Sequence, residues 1–91
     1  MKFPFDDKPN TVVIICNHIL NEKEPILFVS HDEDGMWQFL CGKTHTTEDA
    51  GIISLEEVYE LDSSIKGIAH MPCGYYATRM SKDDEWDIKE S

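Results

Sequence analysis

Apolar positions along the chain fall into short runs, separated by polar stretches marked with glycine and proline. The clearest run is Thr11-Val12-Val13-Ile14-Ile15-Cys16-Asn17. It is dense in β-branched side chains and apolar at odd and even positions alike, which predicts an interior strand. Ile26-Leu27-Phe28-Val29-Ser30, opened by Pro25, predicts a second strand, since a proline at the first position removes no needed ladder donor. His31-Asp32-Glu33-Asp34-Gly35 follows, and Asp-Gly between apolar runs marks a hairpin turn because glycine accepts positive φ. Met36 to Cys41 is then the returning strand, with Trp37, Phe39 and Cys41 on one face and Met36, Gln38 and Leu40 on the other. Gly42 ends it.

The stretch His18 to Glu24 reads as a polar connection, and Lys43 to Gly51 as a polar loop with a helical turn begun at Thr46 or Thr47. Ile52-Ile53 is a brief extended piece. Ser54 with Glu57 three residues on forms a capping box and starts a helix. Leu55, Val58, Tyr59 and Leu61 line its inner side at helical spacing, leaving Glu56, Glu57 and Glu60 to water. Asp62 or Ser63 restarts the chain as a second short helix that buries Ile65, Ile68 and Ala69. Pro72 stops it, Gly74 lets the chain turn, and Tyr75 to Met80 forms a last strand. Residues 1–10 are an N-terminal arm in which Phe3 and Phe5 alternate. Residues 81–91 are an acidic tail that Trp86 and Ile88 either pin to the body or leave to fray. The pattern predicts a single α+β domain over residues 1–91, an antiparallel sheet of about four strands with one or two helices, about residues 54–71, packed on one face.

Composition narrows what such a domain can do. A chain of 91 residues that is 41% hydrophobic builds one core and leaves little room for an enclosed active site. Its formal charge of −10 opposes binding to nucleic acid, which needs lysine and arginine against phosphate, and opposes docking on anionic membrane. Residues 1–45 hold 7 acids and 4 bases, and residues 46–91 hold 11 and 4, so the second part carries most of the excess. That asymmetry fits a solvated acidic surface or a face that steers a basic protein into contact. The 3 cysteines cannot all pair, and Cys16 and Cys41 lie in apolar runs where a free thiol acts as a small hydrophobe, so a reducing, cytoplasmic location is expected. Met1 to Asp7 lacks the apolar stretch of a signal peptide, and Val12 to Cys16, the longest apolar run, is far too short to span a bilayer.

Candidate chemistry is sparse. Cys16, His18, His31, Cys41, His45, His70 and Cys73 are soft ligands, and Cys16-Asn17-His18 would place two donors on one face of a strand. Structural zinc favours tight paired spacings, and neither Cys-x-x-Cys nor His-x-x-x-His occurs, so no metal and no cofactor is expected. Cys73 with His70 close by is the nearest approach to a nucleophile and base, but a helix C-terminus disfavours a thiolate. The acids Asp32, Glu33 and Asp34, and Asp83, Asp84 and Glu85, form exposed runs without the alternation of a calcium loop. No glycine-rich phosphate cradle occurs. Arg79, the only arginine, is read as half of a structural ion pair, with a recognition contact beside Tyr76 and Trp37 as the alternative.

An ordered set of these features resembles a known family. It comprises an apolar first strand ending in Cys16, then Asp34-Gly35-x-Trp37-x-Phe39, Gly42, Ile53-x-Leu55-x-x-Val58, Asp62-x-Ser64-Ile65 and Pro72-x-Gly74-x-x-Ala77-x-Arg79. Across about residues 11–80 the chain is similar to a family of small bacterial domains grouped with the immunity proteins of polymorphic toxin systems, with Ser63 where members often carry proline. The resemblance implies a compact α+β module without catalysis that neutralises a toxin by surface complementarity.

The expected function is therefore that of a non-catalytic protein-binding module, of the immunity type by that resemblance, with a basic toxin as partner. Its expected contact residues are Asp32, Glu33, Asp34, Trp37, Glu56, Glu57, Glu60, Tyr75, Tyr76 and Arg79, aromatic anchors inside an acidic rim. The alternatives are a small metal- or thiol-dependent enzyme using Cys73 and His70, with Cys16 as a further candidate, and a regulatory domain that self-associates through an open sheet edge.

Overall fold

Val13, Ile15, Val29, Trp37, Phe39 and Ala77 are almost wholly withdrawn from water, and they alternate with less buried neighbours along short strands. This period of two lays one apolar face across a sheet. The computed structural model describes Phe5 and residues 7–41 and 50–90. Within them the chain runs β1 (Val12–Cys16), α1 (Asn17–Glu22), β2 (Phe28–His31), β3 (Trp37–Leu40), β4 (Ala50–Ser54), α2 (Leu55–Leu61), a 3-10 helix (Ser63–Ile68), β5 (Tyr75–Thr78) and β6 (Asp87–Glu90). The strands form a 6-stranded sheet in the order β4-β1-β3-β2-β5-β6.

The α+β class holds; the expected sheet does not. It has two strands more than about four, and it is mixed, because β1 and β3 run parallel with Ile14 opposite Gln38 and Ile15 opposite Phe39. The other pairings are antiparallel. The cause is the connection after β1. Residues 17–27 carry the chain past the slot beside β1, and the hairpin then folds its second strand, β3, back into that slot. The aromatic strand thereby takes the centre, where Trp37 and Phe39 can be covered completely.

The extra strands come from two segments that look weak in sequence. Ile52 and Ile53 belong to β4, which pairs with β1 along its whole length, from Val12 opposite Ser54 to Cys16 opposite Ala50. The acidic tail supplies β6, paired to β5 with Ala77 opposite Ile88. One row then crosses the sheet: Gly51, Ile15, Phe39, Val29, Ala77, Ile88. Leu55 and Val58 of α2, Ile65 and Ile68 of the 3-10 helix, Ala69, Met71 and Ile19 of α1 join this side in one core.

Local chemistry sets the helix ends. Ser54 is the last residue of β4 and the N-cap of α2. The Glu57 amide donates to Ser54 Oγ at 3.2 Å and the Ser54 amide donates to Glu57 Oε1 at 3.3 Å, the expected capping box. Leu61 departs from its expected inward position: it is 55% exposed, because α2 ends there and the chain swings out at Asp62. Asp62 caps the second helix by accepting from the Ser64 amide at 3.0 Å. The stretch read as a connection after β1 is helical at Asn17–Glu22, closed by Lys23 at φ 56, whose amide donates to the His18 carbonyl. Ile19 and Leu20 are too few apolar residues to display a helical period. Gly35 and Gly74 sit at φ 91 and 85, as their turn positions require.

Arg79 joins the layers. It is buried. Nε donates to the Ile26 carbonyl at 2.9 Å, Nη1 to Ser64 Oγ at 2.8 Å and the Lys82 carbonyl at 3.1 Å, and Nη2 to Asp62 Oδ2 at 2.9 Å. Its guanidinium lies 4.1 Å from the centre of the Trp86 ring, and Trp86 Nε1 donates to the Ser64 carbonyl. The tail is pinned, and the structural reading of Arg79 is the one the structure shows. Phe5 of the N-terminal arm packs edge-on against Trp37 at 5.2 Å. Phe3, Gly42, His45 and the turn expected at Thr46 or Thr47 lie outside the described residues.

Two sets of variants test this account by chemical denaturation. Arg79→Lys keeps the charge but cannot serve four acceptors from one ammonium, and Asp62→Ala leaves the guanidinium without its counter-charge. Each is expected to cost about 3 kcal/mol. Ser54→Ala removes the cap and is expected to cost about 1 kcal/mol. An Arg79→Lys variant as stable as the parent would contradict the hub.

Candidate functional site

The helices all pack on the side of the sheet that carries Ile15, Phe39 and Val29. The opposite side presents Val12, Ile14, Ile52, Phe28, Tyr76, Gln38, Ser30 and Thr78, by alternation along the same strands. Among the described residues no helix covers it. Ile52 is 70% exposed and Val12 54%, while Phe28 and Tyr76 stack at 5.8 Å between ring centres. The strand β1 is therefore interior in the sheet order but apolar on a second face where, among the described residues, Val12 is exposed and Ile14 half-buried.

The expected contact residues divide around this face. Glu33, Tyr75 and Tyr76 line a groove of about 240 Å³ together with Phe28, Ser30, His31, Asp32 and Gly74. Asp32 is partly committed to the hairpin, accepting from Gln38 Nε2 at 2.7 Å and from Ser30 Oγ at 3.2 Å. Asp34 accepts from the Met36 amide and otherwise faces water. Tyr75 and Tyr76, adjacent in sequence, point to opposite sides, so Tyr76 alone of the two stands on the open face. Glu56, Glu57 and Glu60 are exposed on α2, across the molecule from that face, with Glu57 held in the capping box. Two residues leave the expected surface altogether. Trp37 is 1% exposed, sandwiched among Phe5, His31 and Phe39 because its strand is the centre of the sheet. Arg79 is consumed by the network described above.

The thiol and imidazole groups form two clusters, neither as expected. Cys73 meets His31, not the sequence-adjacent His70: its Sγ lies 3.6 Å from His31 Nε2. His31 Nδ1 is 2.8 Å from the Met71 carbonyl. A carbonyl only accepts, so the proton sits on Nδ1 and the Nε2 lone pair faces the thiol. That tautomer suits a base, and stacking on Trp37 at 3.8 Å fixes the ring. Nothing in sequence flags the pair, because the register that puts His31 opposite Tyr75 joins residues far apart in the chain. A wider groove of about 910 Å³, bordered by Glu60 to Ser64 and Met80 to Asp83, carries neither thiol nor imidazole.

The second cluster is Cys16, His18 and Cys41, whose ligand atoms all lie within 4.8 Å of one another. Cys16 closes β1, His18 opens α1 and Cys41 follows β3. Cys16 and His18 converge because the strand turns into a helix between them, rather than by sharing a strand face. Burial pushes the Cys16 thiol above its ordinary pKa, and the neighbouring Cys41 thiol adds to the rise. The remaining sequence ligand His45 lies outside the described residues.

No family model, no curated protein and no solved structure matches the chain.

The burial of the three thiols differs, and that is measurable. Cys73 is exposed while Cys16 and Cys41 are buried, so iodoacetamide on the folded protein is expected to label Cys73 first and the other two only on unfolding. Mass spectrometry after a short pulse checks this; early labelling of Cys16 or Cys41 would contradict the packing.

Proposed function

We propose that this chain is a non-catalytic protein-binding module of the immunity type, which holds a basic protein toxin against the open face of its sheet. One observation carries the reading: a partly apolar sheet face that no helix covers among the described residues, on a molecule of formal charge −10. Val12, Ile14, Ile52 and the stacked Phe28 and Tyr76 supply area to exclude water, and the exposed acids Glu33 and Asp34 stand at its margin. Apolar and aromatic groups give affinity, while surrounding charge accelerates and orients the encounter with a partner of opposite sign. The acids of α2 act at longer range, as part of the overall field rather than as contacts. The resemblance to toxin-system immunity domains points the same way.

A second reading rests on the Cys73–His31 contact. An imidazole held in the right tautomer beside an exposed thiol is the minimal apparatus of thiol chemistry. If His31 acts as a base there, His31→Gln slows Cys73 alkylation about tenfold or more; an unchanged rate makes the contact one of packing.

The main reading is tested with the neighbouring reading frame, expressed in a laboratory host with and without this chain. That frame is expected to arrest growth, this chain to restore it, and the two proteins to co-purify. Tyr76→Ala is expected to weaken the complex about thirtyfold, near 2 kcal/mol, and Ile52→Ser to weaken it without loss of folding. A harmless neighbour, or arrest that this chain does not relieve, sinks the proposal.

A further inference from the structure

The cluster at the carboxyl ends of β1 and β3 has the donor set of a metal site. Tetrahedral zinc, with Zn–S of about 2.3 Å and Zn–N of about 2.0–2.1 Å, separates a sulfur and a nitrogen ligand by about 3.6 Å. Cys41 Sγ and His18 Nδ1 are 3.6 Å apart, and Cys16 Sγ completes a triangle within 4.8 Å. A thiol hydrogen-bonded to an imidazole gives the same separation, so that distance alone does not decide. Two further features favour the metal. A second thiol converges on the same point, where hydrophobic packing requires no imidazole. The far nitrogen of the ring, His18 Nε2, faces Glu22 Oε2 at 3.9 Å. A metal-bound histidine commonly directs its other N–H at a carboxylate, which fixes the ring and strengthens it as a ligand.

We propose that Cys16, His18 and Cys41 bind one zinc ion, with Glu22 orienting His18 from behind. Each thiol exchanges its S–H bond for an S–Zn bond and releases its proton to solvent, while His18 binds neutral through Nδ1. Two thiolates balance the dication, so the buried centre carries no net charge. His18 is 22% exposed, and its side opens a path for the ion. Three protein donors leave one tetrahedral position for water or another donor. The ion ties three elements together: the end of β1, the first turn of α1 and the residue that follows β3. Those elements hold the parallel pair, which no short turn connects. For a chain of this size such a tie is a substantial addition to stability. This inference stands apart from the partner-binding reading, since zinc uptake and toxin neutralisation are measured separately.

The experiment starts from protein reduced and stripped with a chelator, with its three free thiols confirmed by titration. Zinc is then added in competition with a chromogenic chelator, and cobalt is added to a parallel sample. One zinc per chain is expected. The cobalt form should show thiolate-to-metal charge-transfer absorption and the intense visible bands of a tetrahedral site. The melting temperature should rise by about 10 °C or more at free zinc a hundredfold above Kd. His18→Ala, at a partly exposed position, is expected to fold and to bind at least tenfold more weakly, and Glu22→Gln to bind about tenfold more weakly. Cys16→Ser and Cys41→Ser should lose the charge-transfer band, whereas Cys73→Ser and His70→Ala should keep parental affinity. Zinc lost on desalting, binding unaffected by His18→Ala, or binding abolished by Cys73→Ser would each overturn the proposal.

Discussion

One guanidinium holds this fold in register. Arg79 leaves the end of β5 and places N–H groups on the Ile26 carbonyl before β2, on Asp62 and Ser64 where the two helices meet, and on the Lys82 carbonyl in the turn toward β6. The Trp86 ring closes over it. Asp62 divides its oxygens between tasks: Oδ1 accepts from the Ser64 amide and hydroxyl, and Oδ2 accepts from Arg79. The Ser64 hydroxyl therefore donates to the aspartate while accepting from the arginine, a closed cycle in which each bond polarises the next. Buried charge pairs add modestly to net stability, but breaking one is costly, so such a cycle disfavours other arrangements of the same elements. The placement of the helical layer, the start of β2 and the docking of the tail all depend on it.

Much of the fold was legible along the chain, and the gaps have physical causes. The hairpin at Asp34-Gly35, the cap at Ser54 and Glu57 and the turn at Gly74 are local events, each decided by a few adjacent residues, whereas the second helix ends at Ile68, ahead of the stop expected at Pro72. Strand order is not local. Alternation shows that Trp37 and Phe39 share a face, but not that β3 lies beside β1 rather than at an edge. The weak strands are understated in sequence for a related reason: only Ile52-Ile53 of β4 reads as extended, and β6 reads as tail. Neither segment carries a strong pattern, and each is made into a strand by the ladder of its neighbour, β1 for one and β5 for the other.

The site residues divide along the same line. Glu33 and Asp34 of the hairpin and the acids of α2 are exposed as expected, because charged side chains at a turn or on the outer face of a helix have little alternative, while Asp32 is half-buried by its bonds to Gln38 and Ser30. Trp37 reads as a contact residue in sequence and is buried in the structure, because an aromatic strand face looks the same from sequence whether it meets a partner or its own core. Cys16, His18 and Cys41 are each soft ligands in sequence, yet no spacing rule unites them. Such rules describe ligands on a single knuckle or helix. Here the donors come from the ends of two parallel strands and the helix between them, and their convergence depends on the register of Ile15 with Phe39.

The sheet's two edges and its charge together bear on what can dock there. At one edge β6 presents Asp87, Lys89 and Glu90, charges that discourage another strand from adding. At the other, β4 reads Ala50-Gly51-Ile52-Ile53-Ser54, without a charge, beside exposed Val12 and Ile52 on the open face. Such an edge would invite a second copy of the chain. Two copies, however, each carry a formal charge of −10 and repel as they approach. A basic protein meets the same edge and face with attraction in place of repulsion. The apolar surface supplies adhesion that would serve either partner, and the charge of the chain supports the heterologous partner we propose over self-assembly.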